Sequence, residues 1–156
     1  MTTENFNMKK QHYTWDHFHS LVGEIKKQIK LTPNIIVSIG KGGSIPGVIL
    51  AEMFKCNNIN LGLKSYKGQA RGNIHEYQSI ENFESLTDVN VLIVDDIADS
   101  GETLKYAVSK FKSYGCTNIE TASVFYKSCS TFKPDCFAEE VEQSIWIVQP
   151  WEQGQY

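Results

Sequence analysis

Val91-Leu92-Ile93-Val94-Asp95-Asp96-Ile97-Ala98-Asp99-Ser100-Gly101-Glu102-Thr103-Leu104 is the stretch of this sequence that decides the fold. It opens with four branched apolar residues, a run too short for a helix and well suited to a strand buried on both faces. Three carboxylates follow, on Asp95, Asp96 and Asp99. Apolar residues then recur at helical spacing from 104 to 114. The stretch therefore predicts a strand, an acidic turn and a helix.

Such a turn has two chemical capabilities. The first N–H groups of a helix lack partners within the helix and lie at the positive end of its dipole, so a phosphate can bind there with help from the Ser100 and Thr103 hydroxyls. Asp95 and Asp96 can accept hydrogen bonds from a sugar diol or face a hydrated Mg²⁺. One turn could therefore hold a ribose 5-phosphate at both ends.

A simpler interpretation of these residues is a capping pair. Asp99 and Glu102 have the spacing of such a pair at a helix N-terminus, and the upstream aspartates would then only end a strand. As one string, however, the apolar run, Asp-Asp, two apolar residues and Asp-Ser-Gly-x-Thr resemble the phosphoribosyl-diphosphate (PRPP) signature of type I phosphoribosyltransferases. The resemblance implies a catalytic acid–base role for Asp99. The PRPP-binding residues that it implies here are Asp95, Asp96, Ile97, Ala98, Ser100, Gly101, Glu102 and Thr103.

Composition excludes several other classes of protein. The chain has 156 residues, 41% of them hydrophobic and 21% charged, which suits one α/β domain and is too short for two. The net charge of −3 argues against a nucleic-acid partner. No apolar run approaches the ~20 residues of a membrane span, and no secretory signal is visible near the start. Four cysteines without a C-x-x-C pair favour reduced thiols and a cytoplasmic location.

A second motif follows the strand predicted at 35–39, in the form Gly40-Lys41-Gly42-Gly43-Ser44-Ile45-Pro46-Gly47. Its glycines fit neither the dinucleotide fingerprint nor the P-loop. Two interpretations remain: a plain glycine turn before a helix from Val48, or a sharp turn whose backbone N–H groups approach an anion, with Lys41 as counter-charge. The segment 38–47 resembles the pyrophosphate-binding loop of purine phosphoribosyltransferases. That resemblance implies PRPP contacts for Lys41, Gly42 and Gly43 and a non-proline cis peptide bond between Gly40 and Lys41.

The loop predicted at 66–88 lacks periodicity and is glycine-bearing, which favours a flexible surface segment. In the family, the matching loop closes over PRPP and has a Ser-Tyr pair near its start. The resemblance therefore implies that Ser65 and Tyr66 bind PRPP and shield the site from water.

Three residues near the carboxyl end are candidates for binding a base. By themselves Lys127 could be a solvated charge and Trp146 a core aromatic. Because the ending of the chain resembles bacterial xanthine-guanine and archaeal purine phosphoribosyltransferases, Lys127 is implied to bind the purine O6 and N7, Trp146 to stack on the base, and Ile147 to read its edge through main-chain groups. Two departures from the bacterial enzymes, Lys41 for arginine and Val148 for an acidic residue, leave the choice among guanine, xanthine and hypoxanthine open.

The sequence as a whole predicts an α/β single domain over 1–156 with the type I phosphoribosyltransferase fold. We expect a loose lead-in at 1–12, a helix over 14–30, a parallel sheet of about five strands flanked by helices, and a small hood at 128–156. Ligands should lie at the carboxyl ends of the strands. The strands are predicted at 35–39, 59–63, 91–96, 119–126 and 144–148.

The activity implied by the resemblance is transfer of the phosphoribosyl group of PRPP to guanine, xanthine or hypoxanthine. The products are the nucleoside 5′-monophosphate and pyrophosphate. Mg²⁺ is the implied cofactor, held by Asp96 with Asp95 or Glu152 as a further ligand, and the family suggests a homodimer or homotetramer. Two alternatives stay open: a non-catalytic sensor of PRPP or a nucleotide, and a transferase for another base.

Overall fold

The elements follow one another in an alternating order in the computed structural model, which describes residues 8–65, 74–80 and 85–154. In chain order they are β1 (Lys9–His12), α1 (Trp15–Gln28), β2 (Ile35–Ile39), α2 (Gly40–Phe54), β3 (Asn57–Ser65), β4 (Ile74–Gln78), β5 (Asn90–Ala98), α3 (Glu102–Ser113), β6 (Asn118–Lys127), β7 (Cys136–Val141), β8 (Ile145–Val148) and a 3-10 helix (Pro150–Glu152).

The main sheet has six strands in the order β4-β3-β2-β5-β6-β7. Every neighbouring pair is parallel except β3 and β4, which run antiparallel with an irregular register at Gly62 and Leu63. The predicted α/β class and mostly parallel sheet are confirmed. Two strands of the sheet, β4 and β7, were not predicted, and β8 lies outside it.

Helices cover both faces of this sheet. Alternate residues of β5 point to opposite sides, with Leu92 and Val94 in the core beneath α1 and α2, and Val91 and Ile93 in the core beneath α3. This alternation explains the continuous apolar run in the sequence, because both faces of the strand are buried. None of the described helices has the length and apolar content that a membrane crossing requires.

Helix α2 begins at Gly40, eight residues before the predicted start at Val48. The glycine-rich motif is therefore its first two turns rather than a separate loop. The Gly40 carbonyl accepts hydrogen bonds from Ser44 Oγ (2.7 Å) and Asn60 Nδ2 (2.7 Å), which fasten the start of the helix to β3. Sequence reasoning placed the helix start too late because glycines and Pro46 disfavour a helix by propensity, whereas tertiary contacts stabilise it here.

The two ends of the described chain pair in a small sheet of their own. Strand β1 runs parallel to β8, with Gln11 opposite Ile147 in the register. The prediction of a loose lead-in is therefore wrong for Lys9–His12. The hood predicted at 128–156 is also bounded differently, since β7 is an edge strand of the main sheet.

Candidate active site at the carboxyl ends of the strands

The two sequence motifs meet at the carboxyl ends of two central strands of the main sheet. Strands β2 and β5 are adjacent and parallel, with Ser38 opposite Val94, so the residues after both strands leave the sheet at the same end. The glycine-rich start of α2 follows the first strand, and Asp95 and Asp96 occupy the last part of the second. Side chains at the carboxyl end of parallel strands are where ligands of open α/β sheets bind.

Glycine at positions 42 and 43 allows this close approach. A β-carbon added to Gly42 would lie 2.8 Å from Oδ2 of Asp96, and one added to Gly43 would lie 2.6 Å from the carbonyl oxygen of Val94. Either contact is shorter than real β-carbons tolerate, so only glycine lets the helix start pack against the carboxylates. The sequence predicted that these two segments share one cleft; the structure brings them into contact, and the cleft itself stays a prediction.

Asp95 and Asp96 form a tightly coupled pair. The backbone N–H of Asp96 donates to Oδ1 of Asp95 (2.9 Å). Burial, and secondly the neighbouring carboxylate of Asp96, raise the pKa of Asp95 well above its ordinary value. Burial also raises the pKa of Asp96, against hydrogen bonds that stabilise its charged form. Like charges held this close favour a bound cation or donors from a ligand.

One of those hydrogen bonds comes from Gln149, just after β8. Its Nε2 donates to Oδ2 of Asp96 (3.0 Å), and the side chain is 1% exposed. The backbone N–H of Gln149 donates to Glu152 Oε2 (3.0 Å), and the Glu152 N–H donates back to the Gln149 carbonyl oxygen (3.0 Å), at the start of the 3-10 helix. Glu152, a candidate metal ligand from sequence, therefore caps the backbone here.

The turn between β5 and α3 has the form expected of an anion site. The N-cap of α3 is Gly101, at φ +83°, so Asp99 lies two residues before the cap position. Ser100 Oγ accepts the Glu102 N–H (3.3 Å). The Ser100 carbonyl accepts both the N–H (2.9 Å) and the hydroxyl (2.8 Å) of Thr131, so the turn is held from outside.

Other predicted PRPP residues border this turn. Asp99 is exposed beside Ser100, Ala98 is buried in β5, and Ile97 and Thr103 are half-buried. The backbone of Ser65 ends β3, and Tyr66 lies outside the described residues, as does much of the predicted 66–88 loop.

Lys41 lies at the start of α2, where it is exposed. It lines a cavity of about 530 Å³ together with Leu63 and Lys64 of β3 and His75 and Tyr77 of β4. The cavity adjoins Gly40, which has φ +57°, a value at which glycine is favoured. The predicted cis peptide at this position is wrong, because the described residues contain no cis peptide bond.

The three base-binding candidates lie on β6 and β8. Lys127 is 6% exposed, and its Nζ donates to the carbonyl oxygens of Glu142 (3.2 Å), Gln143 (3.3 Å) and Ile145. It is therefore not a solvated charge: all three donors of its ammonium are engaged with the backbone that precedes and starts β8. Trp146 is 44% exposed, which differs from a core aromatic, and Ile147 is buried.

A second cavity, of about 560 Å³, lies at the opposite end of the strands, where β5 and β6 begin. Its wall includes Glu120 and Asp135. Glu120 accepts the backbone N–H groups of Lys30 and Leu31, and Asp135 accepts the N–H and hydroxyl of Thr121. These two carboxylates accept hydrogen bonds that hold the fold together. The candidate site therefore stays at the other end of the sheet, at the carboxyl ends of the strands.

Sequence reasoning missed Gln149 as a member of the site. A glutamine between a strand and a proline carries no periodicity or motif signal, and only its position after β8 brings it to Asp96. Within the described part of the chain, no group of three or more His, Cys, Asp or Glu side chains is arranged to hold a metal ion.

Two known proteins are similar to this chain over most of its length. The chain is 27% identical over 143 residues to a xanthine-guanine phosphoribosyltransferase of Chromohalobacter salexigens, covering 90% of this chain and 83% of that one. The crystal structure of a purine phosphoribosyltransferase from Pyrococcus horikoshii superposes with a TM-score of 0.83 at 26% identity, covering 96% of this chain and 98% of the other.

A second similar structure shares the fold at lower identity. It is a hypothetical protein from Neisseria gonorrhoeae with bound ppGpp, with a TM-score of 0.79, 23% identity and coverage of 93% of this chain and 90% of that one. The family model of the phosphoribosyl transferase domain matches residues 7–155. Because that match spans nearly the whole sequence, the chain belongs to the phosphoribosyl transferase domain family.

Proposed function

We propose that this chain is a 6-oxopurine phosphoribosyltransferase of purine salvage, which converts guanine, xanthine or hypoxanthine and PRPP to the nucleoside 5′-monophosphate and pyrophosphate. The observation that carries the proposal is the contact between the glycine-rich start of α2 and the Asp95-Asp96 end of β5. A sugar bearing a phosphate and a diphosphate needs both parts within one cleft. The xanthine-guanine relative and the purine enzyme of Pyrococcus horikoshii support the purine class.

PRPP would be held at three points. The turn from Ser100 to Thr103 would take the 5-phosphate, because it leads into the N-terminus of α3. Asp95 and Asp96 would accept hydrogen bonds from the ribose hydroxyls. The N–H groups at the start of α2, with Lys41 beside them, would stabilise the departing pyrophosphate.

Mg²⁺ fits this donor set. Its preferred ligands are oxygens, and it usually binds through one or two carboxylates together with substrate phosphates, so a preformed protein cage is not required. Asp96, with Asp95 beside it, would hold the ion; Glu152 is occupied by the Gln149 N–H. When bound, Mg²⁺ would supply positive charge against the negative charge that develops on the leaving diphosphate.

Base recognition would come from β6 and β8. Trp146 is 44% exposed and would stack on the purine ring. Lys127 donates only, so a base with an oxo group at position 6 would be favoured over adenine, which presents an amino donor there. One of its bonds to the carbonyls of Glu142, Gln143 or Ile145 would be exchanged for the purine O6 or N7.

Asp99 would act as the general base toward the purine. N9 of the purine attacks the anomeric carbon, the bond from that carbon to the pyrophosphate oxygen breaks, and the N7 proton passes to the Asp99 carboxylate. An exposed carboxylate at the mouth of the turn can reach a base that lies over the ribose. We propose that the chain forms a homodimer or homotetramer and that the reaction takes place in the cytoplasm.

A competition assay tests the proposal directly. The protein with PRPP and Mg²⁺ is offered guanine, xanthine, hypoxanthine, adenine and uracil together, and the nucleoside monophosphates formed are separated and quantified. We expect products from 6-oxopurines and a stoichiometric release of pyrophosphate. Preferential formation of the adenine or uracil product would contradict the proposed base class.

A non-catalytic sensor is the second candidate, favoured by one observation. A protein of the same fold, from Neisseria gonorrhoeae, has ppGpp bound. A sensor would bind PRPP or a guanine nucleotide without forming product. Calorimetric binding of PRPP or ppGpp in a sample that releases no pyrophosphate with any of the five bases would favour this candidate over the transferase.

A further inference from the structure

Gln149 is 1% exposed and lies against Asp96, and the roles assigned above do not use it. Resting on the proposed function, we propose that Gln149 is a positioning residue: its side-chain amide holds the Asp96 carboxylate in the orientation that binds the ribose of PRPP, and its second polar atom accepts an O–H donor that arrives with that substrate.

The first part of this inference rests on the contact to Asp96. Nε2 of Gln149 donates to Oδ2 at 3.0 Å, and a hydrogen bond to a charged group is stronger than one between neutral groups. The same carboxylate is also packed against Gly42. The carboxylate is thus clamped between an amide and a glycine, and loss of the amide would free it to rotate.

The second part rests on the other end of the amide. Oε1 of Gln149 is buried and has no hydrogen-bond partner among the described residues. Leaving a buried acceptor unsatisfied costs about 1 to 3 kcal/mol, so such an atom in a cleft is best explained by a ligand or water that donates to it. Since Nε2 of the same amide bonds Asp96, the donor would bind beside that carboxylate, where the ribose hydroxyls of PRPP are proposed to lie.

The backbone around Gln149 is fixed independently of its side chain. The N–H of Gln149 donates to Glu152 and the 3-10 helix follows at Pro150. Substitutions of the side chain therefore leave this backbone hydrogen bond to Glu152 in place. The side-chain amide can therefore be replaced without removing the 3-10 helix that follows it.

The experiment compares Gln149→Met, Gln149→Glu and a matched control, Gln153→Met, in the full chain. The control also removes a glutamine from the C-terminal segment, but Gln153 Nε2 donates to the Tyr13 carbonyl (2.6 Å) and not to the acidic strand end. For each protein, Kd for PRPP with Mg²⁺ is measured by calorimetry, KM for PRPP and for the base by pyrophosphate release, and Tm by thermal melting.

We expect Gln149→Met to raise Kd and KM for PRPP about tenfold, which corresponds to about 1.4 kcal/mol, while KM for the base changes less than threefold. Gln149→Glu keeps the size and an acceptor but places a carboxylate against Asp96, so its PRPP affinity should fall further. Gln153→Met should retain the wild-type Kd for PRPP. In an Asp96→Ala background, Gln149→Met should weaken PRPP binding less than it does in the wild type, since the clamped carboxylate is gone.

Each other outcome overturns the inference in a recognisable way. Unchanged PRPP affinity in both Gln149 variants, with wild-type turnover intact, rejects the role of Gln149 and leaves the proposed function standing. Equal losses for PRPP and base that track a fall in Tm would show a purely structural role. Failure of the wild-type protein itself to bind PRPP would reject the proposed function and this inference together.

Discussion

Gly42 lies so close to the carboxylate of Asp96 that a β-carbon on residue 42 would stand 2.8 Å from Oδ2. This contact joins the start of α2 to the end of β5, two segments far apart in the sequence. It also fixes the position of the helix start relative to Asp96, because nothing larger than a hydrogen fits between Gly42 and that carboxylate. The activity of the site should therefore depend on the absence of a side chain at this position.

Gly42→Ala should reduce kcat/KM for PRPP by more than tenfold, since the added methyl group must displace either the carboxylate or the helix start. Gly23→Ala is the matched control, because no atom lies within 4 Å of a β-carbon at Gly23 in α1. The control should keep wild-type kinetics and stabilise the protein by about 0.5 to 1 kcal/mol, since alanine is the better helix former. Wild-type kcat/KM in Gly42→Ala would refute the tight contact.

Asp99→Asn should lower kcat far more than it weakens PRPP binding, because the amide retains the size of the side chain but cannot take the N7 proton. A fall in kcat of about 10² or more fits the usual contribution of a general base. Asp88→Asn, at an exposed carboxylate in the turn before β5, is the control and should leave kcat unchanged. Equal losses in kcat and in PRPP affinity would show that Asp99 only positions the substrate.

Much of the fold could be predicted because it depends on patterns among residues that are close together in the sequence. The apolar runs that became β2 and β5 are buried on both faces, and this is visible as runs of branched residues in the sequence. The helix at Trp15–Gln28 was recognisable from its apolar period and its Thr14 N-cap, which accepts the His17 N–H. The PRPP motif was found as a string whose parts are consecutive in the chain.

The features that could not be predicted depend on contacts between distant residues. Strand β1 exists because it pairs with β8, and its own sequence, KKQH, has no apolar residue to indicate a strand. Helix α2 begins early because Asn60 on β3 binds the Gly40 carbonyl. Gln149 joins the site through a side-chain contact across the fold. None of these contacts alters the local pattern of apolar and polar residues, so the sequence alone does not reveal them.

Lys127→Met tests the link between the hood and the base. The substitution leaves the carbonyl oxygens of Glu142, Gln143 and Ile145 without their shared donor, so we expect a loss of about 1 to 3 kcal/mol in stability. Guanine should bind at least tenfold more weakly, whereas Kd for PRPP should change less than threefold. Calorimetric titration and thermal melting measure both effects. Unchanged guanine affinity with a lowered Tm would assign Lys127 to structure alone.

Asp95→Asn should make the stability of the protein less dependent on pH. Burial and the neighbouring Asp96 raise the pKa of Asp95, so the folded state keeps this proton to higher pH than the unfolded state does. The stabilisation is complete below the unfolded pKa of about 3.9 and is lost as the pH rises through the folded pKa. Asparagine resembles the protonated acid in shape and never becomes charged. The difference in Tm between Asp95→Asn and wild type should therefore be small near pH 4 and become increasingly positive toward pH 8.

The melts for Asp95→Asn are run with EDTA, because a bound cation would stabilise the charged pair and reduce the difference. A gain of about 1 kcal/mol would raise Tm by roughly 2 to 4 °C in a chain of this size. Asp88→Asn again serves as the control, because it also removes one carboxylate but at an exposed position in the turn before β5. A difference for Asp95→Asn that is independent of pH, or that shrinks as the pH rises, would contradict a raised pKa at Asp95.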